Sequence, residues 1–84
     1  MTDGLLTERG QTHGSFADNA QIAQRLRAFW RSSATWDRLP DIHKEALDMM
    51  ATKFSRILSG QSRFGDHWAD VSGYAELARK VCDE

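Results

Sequence analysis

The chain has 84 residues, of which 40% are hydrophobic and 27% charged, with 11 Lys plus Arg against 12 Asp plus Glu and a formal charge of −1. That is enough for one small domain with a single modest core, and the balanced charge disfavours nucleic acid or an acidic membrane as a partner. The lone Cys82 excludes an intramolecular disulfide and a cysteine-rich zinc site, and no apolar run has the length of a membrane span or the form of a signal peptide, so a cytoplasmic protein that gains stability as a homo-oligomer is expected.

In chain order, residues 1–15 are rich in Gly, Thr and polar side chains, lack periodicity and are expected to form a flexible N-terminal arm. Residues 16–84 form the single helical domain. Ile22, Leu26, Phe29 and Trp30 recur at helical spacing, which predicts a first helix over residues 16–33. After a connection over residues 34–39, Pro40 suits a first helical turn, and Asp41 and Glu45 place negative charge near that positive helix end. The second helix carries Ile42, Ala46, Met50, Phe54 and Ile57 to a stop at Ser59 and Gly60. The stretch SGQSRFG reads as a loop, and Asp66 as the N-cap of a third helix whose apolar row is Trp68, Val71, Ala75, Ala78 and Cys82. Nothing reads as a strand. The expected fold is all-α, a three-helix domain with helices two and three antiparallel across a short connection.

Each predicted helix places one strongly polar residue in its inward stripe at about 100° per residue. Asn19 projects between Ile22 and Trp30, Lys53 with Ile42 and Ala46, and Asp70 between Leu77 and Val81. A small domain does not desolvate an amide, an ammonium and a carboxylate unless they satisfy one another or a ligand. Lys53 and Asp70 are therefore expected to pair, with Asn19 and Tyr74 completing the hydrogen bonds. Arg56 lies at the margin of the stripe and Asp66 one turn before Asp70, so the candidate ligand-binding set is Asn19, Lys53, Arg56, Asp66, Asp70 and Tyr74.

Two carboxylate pairs, Glu45 with Asp48 and Asp66 with Asp70, are spaced to share helical faces. Such a set can hold Mg²⁺ against a diphosphate, since hard oxygen ligands and substrate phosphates complete its octahedron, while Lys53 and Arg56 neutralise the phosphates. His13, His43 and His67 have no zinc-site spacing and are expected at surface or capping positions. Cys82 reads as a small packing residue. Gly73 lies inside a helix, where it costs up to about 1 kcal/mol against alanine; a close backbone approach is the expected reason.

The strings HGSFADNA at residues 13–20, HKEALDMMATKFSRIL at 43–58 and DHWADVSGYAELA at 66–78 resemble a family of small phage and prophage domains. That family has a Gly-x-Phe-x-x-Asn opening, a central Lys-x-x-Arg helix and a final Asp-x-x-Gly-Tyr helix. It is similar to the nucleotide modification associated domain 1 group and, more distantly, to the all-α MazG-like nucleotide pyrophosphatases. The resemblance marks Gly14, Phe16, Asn19, Lys53, Arg56, Asp66, Asp70, Gly73 and Tyr74. It implies a nucleotide or nucleotide-like ligand. The MazG-like enzymes carry Glu-x-x-Glu and then Glu-x-x-Asp around Mg²⁺; here the pairs read Glu45-x-x-Asp48 and Asp66-x-x-x-Asp70. In that reading the metal would activate water for attack on a phosphoanhydride.

The alternative expectation is a small interaction protein that inhibits or redirects a host factor, such as an anti-phage defence system. Trp30, Trp36 and Phe64 would supply its surface.

Overall fold

The computed structural model describes residues 15–82; the arm expected over residues 1–15 lies outside them except for Ser15, as do His13 and Gly14. Three helices, α1 (Phe16–Arg31), α2 (Asp41–Arg56) and α3 (Gly65–Arg79), account for most of the described chain, which contains no strand. The all-α reading holds.

Local chemistry sets the helix ends. Ser15 caps α1 by accepting the Asp18 N–H at 3.0 Å, which satisfies one of the free donors of the first turn. The helix stops two residues earlier than its periodicity predicts, because the Ser32 hydroxyl turns back to the Phe29 carbonyl and competes with further helical bonding. The connection contains one tight turn, Trp36–Arg38, where the Arg31 guanidinium lies 5.1 Å from the Trp36 ring centroid. Pro40 is the N-cap of α2 and not its first helical residue.

After Arg56 the chain passes through a wide turn, Ile57–Gln61, in which Gly60 has φ of +113°. An L side chain there is strained, so the expected stop at Ser59 and Gly60 is enforced by a glycine that can turn left-handed. The third helix begins at Gly65 with Phe64 as its N-cap. Asp66 is therefore in the first turn and is not the cap, although its carboxylate still meets the positive helix end.

Helix α2 is the middle of the molecule. It packs against α1 and α3, which scarcely touch each other. Arg27 and Arg31 of α1 reach Thr52 and Asp48, and Asn19 reaches Ser59, so α1 runs antiparallel to α2. Lys53 bonds Asp70 and His43 bonds the Ala78 carbonyl, so α3 is antiparallel to α2, as expected. On α2 the residues turned to α1 (Asp48, Thr52) and to α3 (His43, Lys53) project from opposite sides at 100° per residue. The result is a three-helix layer with two open flanks.

This layer buries little bulk. The buried apolar residues among those described are Ala23, Ala46, Ala51 and Ile57, while Phe29, Ile42, Leu58, Trp68, Leu77 and Val81 are all exposed. Small side chains at the crossings let helix axes approach toward the short end of the 8–10 Å range. The apolar rows expected to face the core are corrected accordingly. On α3 the side facing α2 carries His67, Val71, Tyr74 and Ala78, all buried or half-buried, while Trp68, Ala75 and, past the helix end, Cys82 lie exposed. The third helix is thus rolled from the orientation its apolar count predicts. A histidine and a tyrosine take the inner side, and the tryptophan takes the flank.

Candidate functional site

The expected partnership of Lys53 and Asp70 is present: Lys53 Nζ lies 2.8 Å from Asp70 Oδ2. Its setting differs from the prediction. The Lys53 side chain is 16% exposed but that of Asp70 is 47% exposed, so the pair sits at the rim and is not desolvated on both sides. Asp70 shares its direction on α3 with Leu77 and Val81, and both of these are exposed, so it lies beside the inner side and not within it. The lysine stem crosses apolar surface while its ammonium meets the carboxylate at the edge.

The hydrogen bond from Lys53 holds the Asp70 carboxyl below its ordinary value of 3.8; partial burial opposes this, and the charges of Lys53, His67 and Arg56 add to the lowering. A depressed carboxylate contributes stability that is complete above the unfolded-state pKa and is lost as pH falls through the folded-state value. Asp70→Asn is therefore expected to lower the melting temperature at neutral pH, with the gap to wild type closing as the pH drops below 3.8. Thermal melts of both proteins across that range check this. A gap that stays constant into acid would show that the ionised pair is not its source.

Arg56 belongs to the same cluster. It is half-buried on α2, its charge acts on Asp70, and it makes no side-chain hydrogen bond or ion pair among the described residues. Two cations thus face one carboxylate. Asn19 does not complete the Lys53–Asp70 pair as expected. It is 9% exposed, and its Oδ1 accepts the Ser59 hydroxyl, which also points to the Ser55 carbonyl at 2.7 Å. Tyr74 is half-buried and makes no side-chain hydrogen bond among the described residues. Asp66 is exposed.

The carboxylates proposed from spacing have separate employments. Asp48 accepts Arg31 Nη2 at 2.7 Å, with Arg27 Nε 3.9 Å away, and Asp70 is held by Lys53. Glu45 and Asp66 are exposed. Among the described residues no three His, Cys, Asp or Glu side chains gather as a metal-holding group.

Sequence reasoning missed two features. Arg27 is the main polar link between α1 and α2: its Nη2 donates at 2.8 Å to both the Asp48 carbonyl and Thr52 Oγ1. The signal was present, since Arg27 lies one turn before Arg31 and one turn after Ala23. His67 is 2% exposed with Phe64 edge-on at 4.9 Å, which corrects the surface role expected for it. The close backbone approach expected at Gly73 is absent, because a Cβ there would meet nothing within 4 Å. Of the aromatics considered for an interaction surface, Trp30 and Trp36 are half-buried and Phe64 is 40% exposed.

Neither the protein-family models, nor the curated proteins, nor the solved structures include a match to this chain. Among the described residues no helix is long and apolar enough to cross a membrane.

Proposed function

We propose that the rim formed by Lys53, Arg56 and Asp70 binds a phosphorylated ligand of nucleotide type. The observation that carries this reading is Arg56, a half-buried residue whose guanidinium has no ion-pair or hydrogen-bond partner among the described residues. A cation with no carboxylate bound to it, set beside a second cation, gains from an arriving anion, and a guanidinium offers a planar donor fork to phosphate. Lys53 would share its charge between Asp70 and the ligand, and Asp66, one turn from Asp70, offers a carboxylate to Mg²⁺ arriving with the phosphates. Binding requires no rearrangement of the pairs that hold α2. A Mg²⁺ site that also used Asp48 and Asp70 would have to draw them from Arg31 and Lys53, so ligand binding is the reading we favour over hydrolysis.

Purified protein mixed with nucleoside mono-, di- and triphosphates, with and without Mg²⁺, is expected to melt at a higher temperature with at least one of them. A ligand at 100 times its Kd adds about 2.7 kcal/mol. Arg56→Ala should abolish that shift while leaving the unliganded melt near that of the parent. Inorganic phosphate, run beside the nucleotides, shows whether the base and sugar contribute. No shift with any ligand at millimolar concentration would retire the nucleotide reading in favour of a protein partner.

A further inference from the structure

The open flank of the layer opposite Arg27 and Arg31 is apolar along its length. On α1 it carries Ile22, Leu26 and Phe29, on α2 and the turn after it Leu47, Phe54 and Leu58, and on α3 and just past its end Trp68, Ala75 and Cys82, each set at the i+4, i+7, i+11 or i+14 spacing of one helix direction. The relief along it is uneven. At the end where α2 leads into its wide turn, Leu58 is 66% and Trp68 51% exposed. The Trp68 indole N–H is already satisfied by the Ser62 carbonyl at 2.7 Å, so its ring offers only apolar surface. At the other end an open groove of about 410 Å³ lies between α2 and α3, lined by Leu39, Leu47, Met50, Ala75 and Cys82 among others. Arg79 at its wall has its guanidinium engaged by Glu76 at 2.6–2.9 Å, which leaves its methylenes to the groove.

From this relief we infer that the flank docks on a second copy of the same chain, with the Leu58 and Trp68 end of each copy filling the groove of the other. A projection and a depression on one face are self-complementary under a two-fold axis that lies in the interface and crosses the helices. Such an axis exchanges the two ends of the layer, and an isologous interface requires that exchange. An axis parallel to the helices would set projection on projection and leave both grooves empty. The levels agree: Leu47 on α2 and Leu58 in the turn after it have their midpoint near Lys53, and Trp68 and Ala75 on α3 have theirs near Val71, beside Asp70. Lys53 and Asp70 are in contact, so one axis position serves both helices. The area is also of the right order. Phe29, Leu58 and Trp68 together expose several hundred Å² (on the order of 100 Å² each), and the groove walls add to the roughly 800 Å² that each partner gives to a stable interface. A core of three alanines and one isoleucine gains its missing burial in this way.

Sedimentation velocity of the purified chain at micromolar concentration is expected to show a dimer, twice the 9.5 kDa of the chain. Leu58→Glu removes the projection and Ala75→Lys charges the groove. Both positions are exposed in the single chain, so each variant should keep its helical circular dichroism and sediment as a monomer. Mixed together, the two should form a heterodimer, because one projection and one groove are intact and the altered pair is Glu facing Lys. Arg31→Ala on the opposite flank should leave the dimer in place. A monomeric wild type, or a Leu58→Glu variant that still dimerises, overturns the proposal. Failure of the mixture to associate would overturn the end-to-groove arrangement. If either glutamate or lysine variant fails to fold, Leu58→Ala and Ala75→Ser provide the same comparison as a fold-increase in the dimer dissociation constant.

Discussion

Ala51→Leu is expected to remove a large share of this domain's stability, about 1–3 kcal/mol. Ala51 has no exposed surface and sits on α2 among Asp48, Thr52 and Ser55, the residues turned toward α1. Ala23, 5% exposed, is the small residue buried on α1, and the pairings of Asn19 with Ser59 and of Arg31 with Asp48 set it opposite Ser55, one turn from Ala51. Three added heavy atoms have nowhere to go unless the helices separate, and overpacking of this kind costs about 1–3 kcal/mol, occasionally more. Separation would also stretch the 2.8 Å bonds from Arg27 to the Asp48 carbonyl and Thr52 hydroxyl. An 84-residue chain has roughly 4–13 kcal/mol to lose, and a thinly packed layer belongs toward the low end of that span. Urea titrations followed by circular dichroism measure the loss, with Ala69→Leu on the exposed surface of α3 as the control that should change little. If Ala51→Leu unfolds at the same urea concentration as the parent, the packing of α2 does not close over Ala51.

Helix existence was legible because each helix carries both a periodic apolar row and a stop signal that acts locally. Gly60 is the clearest case: the left-handed turn it permits ends α2 where composition says it ends. What periodicity could not supply is the roll of a helix about its own axis when more than one side is apolar. Helix α3 has Trp68 and Ala75 on one stripe, continued past its end by Cys82, and Val71 and Ala78 on the next. Counting bulk favours the first, yet the second faces α2, with His67 and Tyr74 beside it. A chain whose large apolar groups are reserved for a flank presents a misleading inner face to projection. The pairing of Lys53 with Asp70 survived that error, because the roll is only roughly a fifth of a turn and a long lysine side chain reaches across it. The burial of Asp70 did not. Asn19 was rightly placed inside, but its partner is a serine in a turn, and a turn has no periodic signal that points to it.

The link from Asn19 to Ser59 carries the second large effect. It joins the first turn of α1 to the wide turn after α2, forty residues apart in sequence, and the Ser59 hydroxyl is also aimed at the Ser55 and Arg56 carbonyls. Asn19→Ala removes the acceptor on α1 from a site that is 9% exposed, and Ser59→Ala leaves the Asn19 carbonyl oxygen without its hydroxyl. Neither change strands a group outright, since the Ser59 hydroxyl keeps the Ser55 carbonyl as an acceptor, so the loss is that of the bond itself, about 0.5–1.5 kcal/mol. Each single variant should therefore lose stability of that order. The double variant should lose little beyond the worse single, giving a coupling of about 1 kcal/mol in the cycle. The turn also fixes the end of α2 on which Arg56 sits, so the ligand-induced thermal shift proposed for Arg56 should shrink in Asn19→Ala even when the comparison is made at equal fractions folded. Strictly additive losses would mean that the amide and the hydroxyl act independently. An undiminished ligand shift would mean that Arg56 is positioned by α2 alone.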